Sequence, residues 1–150
     1  MTIIATVLRT ESTAEYQGRV YEQNVIIELS DGSQLGVFDP DMLVKSHHIG
    51  EKSRLTIGLL TGSGNIEVIE ETDPRVEPSE EQPLFWKNHV YYGTVTDIGP
   101  GGGFQYDAVL DVGAGTVQFG PRKESFPELA IGDHVRVNAL RTDLHAISVE

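Results

Sequence analysis

Apolar and polar positions alternate along most of the chain, and short turns interrupt the alternation. Asp31-Gly32 and Gly113-Ala114-Gly115 each stand between two alternating runs. Such turns need a positive φ at a central residue, so they favour β-hairpins. The predicted hairpins pair residues 25–29 with 34–38, and residues 108–112 with 116–119.

The chain contains two copies of one layout. Residues 49–70 and 131–150 each open with Ile-Gly and an acid, continue as an alternating strand, and end in a second short strand after a polar turn. Residues 3–8 and 91–98 form the matching opening strands. The first copy carries an extra piece, residues 17–24, between its first and second strands. Five strands are therefore predicted for each copy.

The alternation also predicts which side chains of one strand are buried. Val135, Val137 and Ala139 are predicted to face inward, and Arg136 and Asn138 outward.

A short connector separates the third and fourth strands of each copy. In the first copy Asp39 suits a helix N-cap, Pro40 the first helical position and Lys45 the last turn. This pattern predicts a short helix there, and residues 125–129 predict a single helical turn in the second copy. The predicted fold is all-β, a tandem pair of small five-stranded barrels of the oligonucleotide/oligosaccharide-binding (OB) type.

A proline-rich acidic stretch lies between the copies. Its prolines exclude a helix or a central strand, so it is predicted to be a linker. Residues 83–86, Pro-Leu-Phe-Trp, are too apolar to remain in solvent and are expected to pack on the second barrel or between the two barrels. The predicted domains are a first barrel at 1–70, the linker at 71–88 and a second barrel at 89–150.

The composition limits the possible partners. The 150 residues carry 23 acidic and 11 basic side chains, a formal net charge of −12. An acidic surface disfavours charge-driven binding of nucleic acid or anionic membranes. The absence of cysteine excludes disulfides and thiolate metal sites. The N-terminus has no basic leader or long apolar run, and a cytoplasmic location is expected.

The glycine cluster at residues 100–103 resembles a phosphate-binding loop only superficially. A phosphate loop needs a following helix whose amides face the anion. Residues 104–110 alternate and predict a strand instead. The cluster is therefore interpreted as the tip of a hairpin.

The second half resembles a known family. Its segments Gly93–Ile98, Val109–Gly113, Phe119–Pro121, Ile131–Val137 and Ala146–Val149 are similar, in order, to the RNA-binding barrel domain repeated in the largest small-subunit ribosomal protein, a member of the OB group.

The resemblance implies a ligand-binding face. Phe104 and Tyr106 on the second strand would stack on bases, and Phe119 belongs to the same motif set. Arg122 and Lys123 after the third strand would contact phosphate. The basic residue that the family has at the start of the last strand is replaced here by Ala146. Alternatively, the aromatics cover the barrel mouth and the two basic residues pair with Glu124 and Glu128.

No pattern indicates catalysis. The five histidines lack the paired spacing of a zinc site, so no metal or cofactor is expected. Asp39 and Asp41 flank a proline, and helix capping accounts for them without a catalytic role. No serine lies in a nucleophile motif, so an enzyme is not expected.

Two functions remain open. The first is a binding module that takes single-stranded nucleic acid, RNA in particular, on the second barrel. The second is a protein-interaction module that meets a basic partner through its acidic surface and linker, with Phe85 and Trp86 as the anchor.

Overall fold

The protein is all-β in the computed structural model, which describes residues 2–62, 64–80, 84–99, 108–120 and 128–150. One 3₁₀ turn, Ser46–His48, accompanies the strands. The strands are β1 (Ile3–Tyr16), β2 (Arg19–Glu28), β3 (Gln34–Asp39), β4 (Lys52–Leu60), β5 (Ile66–Ile69), β6 (Arg75–Glu77), β7 (Val90–Ile98), β8 (Ala108–Asp111), β9 (Thr116–Phe119), β10 (His134–Asn138) and β11 (Arg141–Val149).

Five strands form a closed ring of pairings. β1 pairs with β2, β2 with β3, β3 with β11 in parallel, β11 with β4, and β4 with β1. Four members of the ring come from the first 60 residues, whereas β11 is the last strand of the chain. The N-terminal strands are therefore completed by the C-terminus.

The second half makes the reciprocal exchange. β7 pairs with β8 and β8 pairs with β9, and β10 pairs with the other edge of β7. The outer neighbour of β10 is β5, which comes from the first half of the chain. All eleven strands form one mixed sheet, and the end of β4 joins β9 in parallel. The structure therefore does not divide into the two separate five-stranded barrels predicted from the sequence.

The exchange has a physical basis in strand length. β11 pairs with β4 at eight positions, from Arg141 opposite Leu60 to Val149 opposite Ser53. β5 has only four residues, too few to cover that edge. The alternation of apolar and polar residues indicates which face of β4 is buried. That face is the same whether β5 or β11 is the neighbour. The pairing partner therefore depends on how much of the β4 edge each strand covers.

The predicted hairpins and the alternation are confirmed. β2 and β3 meet at Gly32 (φ +89°), and β8 and β9 meet at Gly113 (φ +90°). Within and after β10, Val135, Val137 and Ala139 are fully buried. These positions alternate with half-exposed ones, as the period of two requires.

The predicted helix after β3 is absent, and the prediction is wrong. Asp39 ends β3 fully buried, and its carboxylate accepts hydrogen bonds from the backbone N–H groups of Leu43 (2.9 Å) and Val44 (2.9 Å). It also accepts one from Gln23 Nε2 at 2.8 Å. Met42 takes a positive φ of 55°, which breaks any helical path. Asp39 thus caps a turn instead of a helix. The helical turn predicted at 125–129 falls largely outside the described residues.

One long hairpin extends beyond its neighbouring strands. β3 pairs with β2 only from Gln23 onward, and β4 pairs with β1 only up to Thr6. Residues 9–22, here called the arm, therefore pair with neither β3 nor β4. Residues 9–12 pair with residues 23–26 of β2, and the outer part of the arm pairs only with itself. No residue of the arm is buried. The piece at residues 17–24 that interrupted the sequence repeat is the tip and second strand of this hairpin.

The residues described by the structure include no helix long and apolar enough to span a membrane.

The strand exchange predicts that neither half folds alone. A fragment of residues 1–80 lacks β11, so one edge each of β3 and β4 would be unpaired. We expect fragments 1–80 and 84–150 to be unfolded separately and to fold when mixed, as followed by far-UV circular dichroism and urea unfolding. A cooperative unfolding transition in either isolated fragment would contradict the exchange.

The buried carboxylate predicts a costly substitution. Asp39→Ala leaves the N–H groups of Leu43 and Val44 without their acceptor inside the protein. An unsatisfied buried donor costs about 1–3 kcal/mol, so the free energy of unfolding should fall by about 2–4 kcal/mol. Urea titration measures the loss, with Asp41→Ala as the exposed control from the same turn; equal stability of the two variants would refute this role.

Candidate functional site

Most residues of the sequence-predicted site lie outside the described part of the chain. These are Phe104, Tyr106, Arg122 and Lys123, together with the glycine cluster at 100–103. Phe119 is described, and it is completely buried. β9 turns Val117 and Phe119 inward, so the Phe119 ring serves the core and has no exposed face for a ligand.

A row of three side chains crosses the strands of the second half. Arg75 on β6 lies opposite Tyr92 on β7, and Tyr92 lies opposite Arg136 on β10. Residues directly opposite each other on paired strands share one face of a sheet. All three are half-buried, so they form part of the outer surface. We call this set the tyrosine–arginine row.

Arg75 is held rigidly over the tyrosine. Its guanidinium carbon lies 3.8 Å from the centre of the Tyr92 ring. Its Nε donates to Glu77 at 2.9 Å, and its Nη1 donates to the Thr72 hydroxyl (3.1 Å) and to the Asp73 carbonyl (3.0 Å). Nη2 has no hydrogen-bond partner among the described residues. The guanidinium is therefore ordered before any ligand arrives, with one donor open.

Arg136 approaches the same tyrosine from the other side. Its Nε donates to the Tyr92 hydroxyl at 3.2 Å, and its guanidinium lies 6.0 Å from the ring centre. Within the described part of the chain, neither Nη atom has a hydrogen-bond partner. Glu67 of β5 is the next residue in register. The row thus presents two guanidinium groups around one aromatic ring.

The tip of the arm presents a second group of aromatic and cationic side chains. Tyr16 and Tyr21 are 66% and 48% exposed. Arg19 lies opposite Tyr16 in the hairpin, and its guanidinium lies 5.4 Å from the Tyr21 ring. Gln17 and Gly18 both have positive φ, as a two-residue hairpin turn requires.

Several other cations are paired with carboxylates. Arg9 contacts Glu11 at 3.1 Å, and Arg54 contacts Glu150 at 3.4 Å. Arg141 forms an ion pair with Asp143. Arg75 of the row is likewise ion-paired, with Glu77 at 2.9 Å, whereas Arg136 and Arg19 have no carboxylate partner among the described residues.

The apolar stretch of the linker joins the two halves. The Leu84 carbonyl accepts a hydrogen bond from Asn24 of β2 at 2.6 Å, and the Trp86 carbonyl accepts one from the N–H of Thr142 at 3.1 Å. A Cβ at Gly36 would lie 2.3 Å from the Leu84 carbonyl oxygen, so only glycine permits this approach. The predicted anchor residues are half-buried here, with the Trp86 ring 5.3 Å from Phe38.

His89 completes this junction as a neutral imidazole. The N–H of Ser79 donates to its Nδ1 at 3.0 Å, and its Nε2 lies 3.2 Å from the carbonyl of Gly36. A backbone N–H can only donate and a carbonyl can only accept, so Nδ1 is unprotonated and Nε2 carries the proton. Burial lowers the pKa of His89 below its ordinary value, although hydrogen bonding to the Gly36 carbonyl raises it in part.

The described residues contain no group of three or more histidine, aspartate or glutamate side chains that could hold a metal ion. Comparison with models of known protein families, with curated proteins and with solved structures gives no match.

Sequence reasoning missed both surface groups for identifiable reasons. Arg136 was predicted to face outward, but Arg75 lies in a stretch interpreted as linker, and Tyr92 lies in an ordinary alternating strand. The arm has few aliphatic residues, so it gives no strong strand pattern. The Gln17-Gly18 turn between tyrosine-containing segments was the available signal.

The neutral state of His89 predicts a pH dependence of stability. The unfolded chain has a histidine pKa of about 6.5, so the unfolded state binds more protons than the folded state just below that pH. Stability is therefore full above pH 6.5 and falls as the pH decreases toward the lowered folded-state pKa, by up to about 1.4 kcal/mol per pH unit.

Urea unfolding between pH 8 and pH 5 tests this dependence. His89→Gln should be less stable at pH 8 and should lose less stability toward pH 5 than the wild type. Some dependence should remain, because burial and the neighbouring His47 also lower the pKa of His48. Parallel curves for the wild type and the variant would exclude His89 as the source.

Proposed function

We propose that the chain is a non-catalytic binding module that takes single-stranded nucleic acid, RNA in particular, on the tyrosine–arginine row. The observation that carries the proposal is the preordered guanidinium of Arg75 stacked on Tyr92, with Arg136 beside it. Aromatic rings and guanidinium planes are the groups on which unpaired bases stack. The remaining guanidinium donors suit phosphate oxygens.

Two of the three residues of the row lie in the second half of the chain. Tyr92 and Arg136 belong to the second half, which resembles an RNA-binding barrel domain. Phe104, Tyr106, Arg122 and Lys123 remain predicted contributors to the same binding surface. In architecture, we propose that the two sets of strands correspond to two OB-type barrels whose last strands have been exchanged.

The charge of the protein determines what kind of binding to expect. A net charge of −12 opposes long-range attraction of a phosphate backbone. Affinity should therefore come from stacking and from few phosphate contacts. For single-stranded nucleic acid, each contacted phosphate lowers the logarithm of the binding constant by about 0.7 for each tenfold increase in salt concentration. With two guanidinium groups, affinity should fall only about sevenfold between about 50 and 200 mM salt.

Titration of labelled oligouridine and oligothymidine measures this affinity directly. Arg136→Ala should weaken binding at least about tenfold, because a hydrogen bond to a charged group is lost, and the salt dependence should become shallower. Tyr92→Ala should weaken binding comparably. Arg54→Ala removes the same charge from an exposed ion pair on β4 and should change affinity less than twofold.

Two outcomes contradict the proposal. One is the absence of oligonucleotide binding at about 50 mM salt. The other is equal weakening by Arg54→Ala and Arg136→Ala, since that would indicate general electrostatics without a defined site. Thermal unfolding of each variant distinguishes a lost contact from a lost fold.

A protein-interaction module is the second candidate, and the acidic surface favours it. Glu71, Asp73, Glu77 and Glu80 follow one another along the linker, and all four are exposed. A basic partner would meet this segment. Binding of a lysine-rich peptide, together with no binding of either oligonucleotide, would favour this function over the first.

A further inference from the structure

We propose that the tip of the arm is a second contact for the same nucleic acid strand, with Tyr16 and Tyr21 stacking on unpaired bases and Arg19 contacting phosphate. The inference rests on the function proposed above. It assigns a role to the part of the β1–β2 hairpin that buries no residue and pairs with no strand outside the hairpin among those described. Its folding therefore contributes surface without adding to the core.

The three side chains lie on one face of the arm. Tyr16 and Arg19 are directly opposite each other across the turn. Tyr21 has no pairing partner, because the register shifts between Ala14 and Glu15, so its position follows from its distance to Arg19. The 5.4 Å distance between the Arg19 guanidinium and the Tyr21 ring agrees with this placement. Glu15 precedes Tyr16 and is therefore directed to the opposite face.

The edges of the arm are unsuited to adding another strand. Its register shifts between Val7 and Arg9, between Ser12 and Ala14, and between Ala14 and Glu15. Each shift marks an irregularity that interrupts the line of backbone donors and acceptors. Such irregularities protect free edges from pairing. A partner would consequently contact side chains on a face of the arm.

The composition of the tip favours nucleic acid over a protein surface. A stable protein interface buries about 1,200–2,000 Å² around an apolar centre. The arm around the tyrosines is polar, with Thr10, Ser12, Thr13 and Gln17 among its residues. Base stacking needs only exposed ring faces and a nearby cation. Arg19 supplies that cation, since no carboxylate pairs with it in the described part of the chain.

The length of the oligonucleotide tests the inference. Binding modules of this class cover about 4–16 nucleotides. The row alone should bind a 4-mer of uridine, whereas a 16-mer should also reach the arm. We expect the double variant Tyr16→Ala/Tyr21→Ala to weaken 16-mer binding about tenfold and to leave 4-mer binding unchanged. Tyr92→Ala should weaken the binding of both lengths.

The arm supplies its own controls. Tyr16→Phe/Tyr21→Phe keeps the rings and should retain 16-mer affinity. Arg19→Ala should weaken 16-mer binding, whereas Arg9→Ala, which removes an arginine already paired with Glu11, should not. None of these variants should lower the unfolding temperature much, because the arm buries no residue.

Each failure has a distinct meaning. If the arm variants bind the 16-mer as well as the wild type does, the inference is overturned. The proposed role of the row is then unaffected, and a protein partner becomes the candidate ligand of the arm tip. If the wild type binds neither length at about 50 mM salt, the proposed function itself fails, and the inference fails with it.

Discussion

The pairing of β11 with β4 holds the two halves of the chain in one sheet. It joins the last strand of the chain to the first ring of strands at eight positions. No other described strand completes the ring, and the second half takes β5 from the first half in return. Both halves are therefore completed by the other, and about 150 residues share one continuous sheet instead of two marginal cores.

The junction between the halves is built from polar groups with defined partners. The Tyr91 hydroxyl of β7 contacts the Thr142 hydroxyl of β11 at 2.7 Å, and burial raises the pKa of Tyr91 well above its ordinary value. Nearby, His89 connects the linker to β3 through its two ring nitrogens. Because an unpaired buried polar group is costly, these bonds favour one relative position of the strands they connect.

This framework holds the two proposed binding surfaces in different ways. The tyrosine–arginine row lies on three paired strands, so its side chains are positioned by backbone register and by bonds to Glu77 and Thr72. The arm tip is placed by a single hairpin. The first surface is preordered, whereas the second extends from the framework and contributes nothing to its core. A nucleic acid strand bound as proposed would contact the preordered row and the protruding arm tip together.

Local patterns along the chain were enough to predict the all-β class, the two hairpin turns and the inward residues of β10, because turn chemistry and alternation are local properties. It also indicated a capping role for Asp39, although a helix was inferred where the carboxylate caps a turn. The folded chain was needed to show that β11 completes the first ring of strands and that Arg75, Tyr92 and Arg136 meet. Those outcomes depend on long-range pairing, and alternation is the same whichever neighbour a strand has.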